Sequence, residues 1–480
     1  MTKPHRAGWL LLTACGNATP VTTAPVSVAS ATATTTTASA SSSVSPPSAL
    51  IAAALQSTRA HDIAASLADD VGPRLAGSPG DPLAVAWAER TMRELGLANV
   101  HTEPVTVPVW KRGVETAEIV DPVRMSLAVT ALGWSGATPK EGVTGEVVEV
   151  ESLAALEAMP KDSAKGKIIF ANVVMPRSDD GRGYGETVGV RLQGPRAAMK
   201  VGAAAFVVRS LGTAADRFPH AGASLLKDVP NPIPAAAIST VDADLLHHTM
   251  ARGKPVKIKL VLGPERGKDA TSANVVGEAP GTTKKDQVVL LGAHLDSWDL
   301  GRGAIDDGAG CGIVLEATRL VATHAHARTV RVVLFAAEEN SVAGAKAYFT
   351  AHGADAARYV LAMEADSGTD RARFVRFSGD SAHAAAFGEI VRALSPLGIT
   401  RSDGDTHGGT DISPLLGAGV PTIEVRQDAS RYFDIHHTAN DTSDKLDAAA
   451  LAQVAAAFAE IASRVADLDS DLGRAPIKGE

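Results

Sequence analysis

The chain has 480 residues, 45% hydrophobic and 21% charged, enough for a large core and more than one domain. Its formal net charge of -8 gives no sign of nucleic-acid recognition, which would want a basic face. No apolar stretch reads as long enough to span a bilayer.

Residues 1–15, MTKPHRAGWLLLTAC, place Lys3 and Arg6 before a short apolar run, Ala7 to Leu12, and end on Cys15. That order resembles a bacterial lipoprotein signal. It implies an exported chain, either held at the periplasmic side of a membrane by a lipid on Cys15 or secreted. Residues 16–48 are rich in Ala, Ser, Thr and Pro with almost no large apolar residue, a composition that cannot bury a core and reads as a disordered tether. Cys15 and Cys311 are the two cysteines, so a lipid on Cys15 leaves no intrachain disulfide.

Ala49 to Leu67 and Leu83 to Leu95 have the apolar spacing of amphipathic helices, joined by the turn-rich DDVGPRLAGSPGD. NVHTEPVTVPVWKRG alternates like an edge strand interrupted by prolines. From 126 to 264 the texture is β-rich: GEVVEV, GKIIFANVVM, AAAFVVRS and IPAAAIS are linked by glycines and by a helical segment, Gly194 to Val201.

Val288 to Ala293 is a run of apolar or small residues that ends on His294, with Asp296 two positions on. Such a run reads as a buried strand that delivers its C-terminal end to a site. Side-chain alternation then puts His294 and Asp296 on one side. A Gly-rich loop leads to Asp306 and Asp307, and Gly308 to Val321 has the spacing of a helix that Asp307 is placed to cap.

By itself a His-x-Asp at a strand end is more often a hydrogen-bonded pair than a ligand set, so the case for metal rests on the residues downstream. The strand Val330 to Ala337 ends in Glu338 and Glu339, YVLAMEADSG ends in Asp366, and HHTANDT sets His436 and His437 after the strand Thr422 to Val425. Nitrogen and oxygen donors without nearby cysteines favour zinc or a similar divalent ion in an open, catalytic site. Adjacent strand residues point to opposite sides, so the backbone must turn at Glu338 for both glutamates to reach one place. His407 and Asp411, in the loop THGGTDISPLLGAGVP, and Arg426 and Tyr432, near the late histidines, are candidate substrate contacts. Ala382 to Leu394 and Asp447 to Leu468 read as helices, the second closing the fold before a 471–480 tail. A Gly-x-Ser-x-Gly elbow at a strand-to-helix turn is missing, which argues against a serine hydrolase of that type.

Together HLDSWDLGRGAIDDGAG, AAEEN, MEADSG and HHTAND resemble the co-catalytic di-zinc exopeptidases, the family of secreted bacterial aminopeptidases and of plasma glutamate carboxypeptidase (carboxypeptidase Q). The likeness covers most of the chain after about Leu50. It implies an α/β fold in which 49–125 and 265–470 form a mixed sheet sandwiched between helices. It also implies that 126–264 is a β-rich protease-associated insert, which GKIIFANV and AAMKVGAAAFVV resemble. Two zinc ions per subunit are implied, one on His294 and Asp366, the other on Glu339 and His437, with Asp306 bridging both. Asp296 would orient His294, and Glu338 would be the general base. The implied reaction is hydrolysis of a terminal peptide bond in a dipeptide or short peptide, by an aminopeptidase or a carboxypeptidase Q-like dipeptidase, and a homodimer is left open. Two alternatives share the fold, a one-zinc glutaminyl cyclase and a catalytically silent receptor-type binding protein. The intact set of Asp306, Glu339 and His437 argues against both.

Overall fold

The computed structural model describes residues 46–368, 370–404 and 406–476. Cys15, the signal and nearly all of the tether lie outside the described residues, as do the last four positions of the tail. Two eight-stranded sheets organise the rest.

In the first sheet the strands run in the order Ala98–Val107, Ala270–Ala279, Arg328–Phe335, Lys284–His294, Tyr359–Glu364, Thr422–Gln427, Ala372–Ser378 and Thr400–Arg401. Arg328–Phe335, Lys284–His294, Tyr359–Glu364 and Thr422–Gln427 are mutually parallel, while Ala270–Ala279 and Ala372–Ser378 flank them antiparallel. Parallel strands covered on both faces read as unbroken apolar runs, which is why VVLLGA and VRVVLF show no polar alternation. Val289, Leu291 and Ala293 pack toward the helices Ala309–Val321, Ala448–Asp467 and Arg59–Ser66. Val288 and Leu290 pack toward the helix Ala343–His352 and the segment around Ile412. The sheet is therefore sandwiched between helices, as expected.

Ala448–Asp467 corrects one expectation. It is long and apolar enough to cross a bilayer, contrary to the reading that no stretch is, but it is a core helix with 15 of its 20 residues buried. Asp447 caps it, accepting from the N–H groups of Ala449 and Ala450 at 2.9 and 3.0 Å.

The second sheet runs Met125–Leu127, Glu115–Asp121, Lys257–Leu262, Val143–Val150, Ile168–Ala171, Ala205–Arg209, Ala235–Ile238 and Val129–Ala131, around its own core. Its strands begin at Glu115, not at 126, because Glu115–Asp121 pairs along its length with Lys257–Leu262. The helix expected at Gly194 to Val201 instead spans Arg182–Lys200. Gly183, Gly185, Gly189, Gly194 and Pro195 hide it, since each lowers helix propensity. Tertiary packing explains Gly194: a Cβ there would lie 2.5 Å from the Phe206 ring, so only glycine lets this helix lie so close to the sheet. The helix expected over Ala49 to Leu67 is broken into Ala49–Leu55 and Arg59–Ser66, with Ser57 turned to donate its hydroxyl to Glu316 at 2.7 Å.

Candidate metal centre

The carboxyl ends of the four parallel strands converge, as they do wherever parallel α/β sheets build sites. His294 is the last residue of its strand, Asp366 lies two residues past Glu364, and Glu339 follows the turn after Phe335. His437 follows the one-turn segment Tyr432–Asp434, and Asp306 is supplied by the loop ahead of Ala309–Val321.

Asp306 is central. Its Oδ1 lies 3.0 Å from His294 Nε2, and its Oδ2 lies 3.2 Å from His437 Nε2. On one side His294 Nε2 is 3.9 Å from Asp366, and on the other His437 Nε2 is 3.0 Å from Glu339. One carboxylate thus faces two donor groups, each made of one histidine and one further acid. All the sequence-derived ligands, His294, Asp306, Glu339, Asp366 and His437, come together here. His436 differs from its neighbour: its ring stacks on His437 at 3.6 Å, and its Nε2 stands 3.5 Å from Asp306 without an ion-pair contact to Glu339.

The turn that the two glutamates require is present. Ala337 has φ 59° and ψ 39°, a left-handed conformation in which the strand path breaks and Glu338–Ser341 forms a single helical turn. Asp296 fastens that turn, its two oxygens accepting from the N–H groups of Glu338 (2.9 Å) and Glu339 (3.3 Å). The Asp296 backbone carbonyl also faces His294 Nδ1 at 3.1 Å, with the Asp296 carboxylate 3.7 Å from the same nitrogen. Asp307 works at the helix start, its carboxylate accepting from Gly310 N–H at 2.9 Å and His294 N–H at 3.1 Å.

Charge explains what the site wants. Burial would depress His294, but hydrogen bonds to Asp296 and Asp306 and the charges of Asp307 and Asp366 outweigh it and hold the imidazole well above its ordinary pKa. Burial opposes His437 in the same way and is outweighed by Glu339 and Asp306. Asp306, despite burial, is held well below the carboxylate range by these two histidines. Glu338, Glu339 and Asp366 are all pushed up, first by burial and then by neighbouring carboxylates, Glu339 and Asp366 acting on Glu338 and Asp306 acting on Glu339 and Asp366. Burial and Asp366 push Glu364 up to about 8, and burial pushes Asp441 up to about 7. So many buried acids are tolerable only with compensating positive charge. Glu339 Oε1 is moreover buried without a hydrogen-bond partner. The donor set fits two divalent ions such as zinc, with His294 and Asp366, then His437 and Glu339, on either side of Asp306.

Three supporting residues carry weaker sequence signals. Arg74, in GPRLAGSPG, is wholly buried and donates to the carbonyls of Leu295 (2.6 Å), Arg302 (2.7 Å) and Gly303 (2.7 Å). A motif that supplies no ligand therefore clamps the loop that carries Asp306. Asp441 accepts from the N–H groups of Ile305 (2.7 Å) and Asp306 (3.2 Å). Glu364 accepts from those of Asp411 (2.9 Å) and Ile412 (3.1 Å).

The four candidate substrate contacts separate. Arg426 and Tyr432 line a cavity of about 290 Å³ together with Asp366, His436, Gly181 and Tyr184. Asp411 is 2% exposed, with both carboxylate oxygens buried, and so lies beneath the site instead of facing a substrate. His407 is exposed and lines a different cavity with Thr406, Ser413 and Leu416. Its loop turns buried Thr406 and Gly408 inward on either side of it, which sends the imidazole outward.

Comparison with known proteins agrees with this geometry. Residues 274–462 match the model of peptidase family M28. Carboxypeptidase Q of Mus musculus is 38% identical over 420 residues, 87% of each chain. The probable lipoprotein aminopeptidase LpqL of Mycobacterium tuberculosis is 25% identical over 79% of this chain and 78% of its own. The crystal structure of a peptidase M28 precursor from Shewanella amazonensis superposes with a TM-score of 0.87 at 42% identity, covering 89% of this chain and 97% of that one. With its fold, its paired donor groups and a relative of this identity over nearly its whole length, the chain belongs to peptidase family M28.

Proposed function

We propose that this chain is an exported, zinc-dependent exopeptidase that hydrolyses the terminal peptide bond of dipeptides or short peptides. The observation that carries the reading is Asp306, whose two oxygens face His294 and His437 separately. Two zinc ions bound there would supply Lewis acidity toward the scissile carbonyl and a water acidic enough to attack it near neutral pH. In this reading Glu338 takes the water's proton and returns it to the departing amine, a role worth about 10²- to 10⁴-fold in rate. Asp296 holds Glu338 and His294 in register with each other. The five-ligand set favours this over a one-zinc cyclase or a silent binding protein.

Arg426 and Tyr432 form, in this reading, the substrate subsite next to Asp366. Arg426 supplies a cation for a free carboxylate, and Tyr184 and Phe433 supply an apolar wall for one side chain. Gly181 and Tyr184 belong to the second lobe, the proposed protease-associated insert, which walls off one side of the cavity. A free dipeptide, the same dipeptide blocked at its amine, and one amidated at its carboxyl test this directly. The free dipeptide should be split, with activity lost on chelation and restored by zinc. Undiminished hydrolysis by metal-free protein would overturn the proposal. Export with a lipid on Cys15 belongs to the same reading, by analogy with the mycobacterial relative named a lipoprotein. Cys15→Ser should move the protein from the membrane fraction to the soluble one, and identical fractionation would refute the anchor.

A further inference from the structure

Every metal-bound imidazole has a second nitrogen, and what that nitrogen meets fixes the tautomer and the aim of the ring. His437 turns Nε2 toward Asp306 and Glu339, so the proton belongs on Nδ1 and needs an acceptor. The acceptor comes from the second lobe. The carbonyl of Ala221 lies 3.3 Å from His437 Nδ1, and the Ala221 N–H donates back to the His437 carbonyl at 2.9 Å.

We propose that the loop at Ala221, held by Arg191, is the positioning element for the metal ligand His437, which makes the second lobe a working part of the metal centre and not only a wall. The loop is built to stay in place. Arg191, 6% exposed, reaches the carbonyls of Ala223 at 3.3 Å and Ala221 at 3.5 Å. Gly222, between them, has φ +132°, and a Cβ there would stand 2.3 Å from the Arg191 guanidinium, so only glycine admits the arginine. The Gly222 carbonyl accepts from Gly133 N–H at 2.9 Å, and His220, the residue before Ala221, donates its N–H to Ser210 Oγ at 2.9 Å. Ala221 itself is fully buried.

His437 needs this support because its own backbone does not provide it. Its φ is +62°, a left-handed conformation unfavourable for a residue with a side chain, and such conformations persist only where the surroundings impose them. The turn before it is tied to the same lobe. Asp434 pairs with Arg177 through two bonds of 2.6 and 3.0 Å and accepts from Thr213 Oγ1 at 2.7 Å, and the Phe433 carbonyl accepts from Thr213 N–H at 3.0 Å. The histidine ligand therefore sits at the end of a turn sewn to the second lobe. The other histidine, His294, is oriented by Asp296, two residues past the end of its own strand.

This inference rests on the two-zinc reading, and zinc stoichiometry separates the two. A wild-type chain that takes up fewer than two zinc ions refutes that reading. If it takes up two, chelator competition on Arg191→Met and Gly222→Ala tests the inference, with circular dichroism confirming that each variant folds. One zinc should bind about 10- to 100-fold more weakly while the other keeps its wild-type affinity, the range in which outer partners of metal-bound histidines act. Native affinity for both ions, or equal weakening of both, overturns the proposal. Should either variant not fold, ¹⁵N-histidine spectra of the zinc-loaded wild-type protein still decide, with the His437 signal assigned by its loss in His437→Ala. A proton on Nδ1 and metal on Nε2 is the expected result, and the reverse tautomer contradicts it.

Discussion

The Asp296 carboxylate accepts the backbone N–H of Glu338 at 2.9 Å, which ties the end of the Lys284–His294 strand to the turn after Arg328–Phe335. The residue that steadies the proposed base also faces the ring of His294, the first of the two proposed histidine ligands. Asp296→Asn keeps the size but puts an NH₂ group against one of two backbone N–H donors. It should lower zinc affinity or kcat/KM about 10- to 100-fold without unfolding the chain. Steady-state kinetics alongside zinc competition checks this, and wild-type values would show that Asp296 orients nothing.

Glu338 and Glu339 are adjacent but differently employed. Glu339 lies 3.0 Å from His437 Nε2, whereas Glu338 is recruited to no metal-ligand group. Glu338→Gln should therefore cut kcat by about 10²-fold or more while two zinc ions stay bound. Glu339→Gln should weaken one of the two ions as well. Zinc analysis of both purified variants separates the roles, and equal metal loss in each would erase the distinction.

Arg74 tests the support of the loop. Arg74→Met leaves the carbonyls of Leu295, Arg302 and Gly303 without their donor in a buried place. At about 1 kcal/mol or more for each orphaned group, the expected loss is roughly 3 kcal/mol of stability. Urea unfolding measures it, and a change under about 0.5 kcal/mol would mean that water replaces the guanidinium there.

Much of this site is legible in the sequence because its proposed ligands punctuate apolar runs. His294, Glu339 and Asp366 each follow a buried strand, and strand ends in a parallel sheet share one edge. Arg74 is not legible that way, since its partners are backbone carbonyls more than two hundred residues on, which no spacing rule reaches. Arg182–Lys200 is masked by its glycines, and the reason for one of them, the close approach of Phe206 at Gly194, exists only in the folded chain. His407 misleads for the opposite reason: a histidine among glycines looks like a site residue, but burial of its two neighbours turns it out to solvent. The link from Ala221 to His437 uses only main-chain groups of Ala221, so it leaves no mark on the side-chain type at that position.

Zinc uptake should depend on pH with a definite sign. Neighbouring carboxylates hold His294 and His437 above their ordinary pKa in the zinc-free chain, so both carry protons at neutral pH that zinc must displace. Apparent zinc affinity should rise with pH between about 6 and 8, and loading should release protons into a weakly buffered solution. The same shifts stabilise the zinc-free fold below the unfolded histidine pKa of about 6.5, a contribution lost as pH rises through the folded values. A zinc affinity that does not change with pH would contradict this picture.

A paired-metal site closed on one side by the second lobe should work only at the end of a peptide. Mass spectrometry of products from three substrates tests it most directly: a free dipeptide, a longer peptide with free ends, and that same peptide blocked at both ends. The dipeptide should be split, any trimming of the free longer peptide should proceed from a terminus, and the doubly blocked peptide should be recovered intact. Fragments from the interior of the blocked peptide, made by zinc-loaded protein and absent with Glu338→Gln, would contradict it.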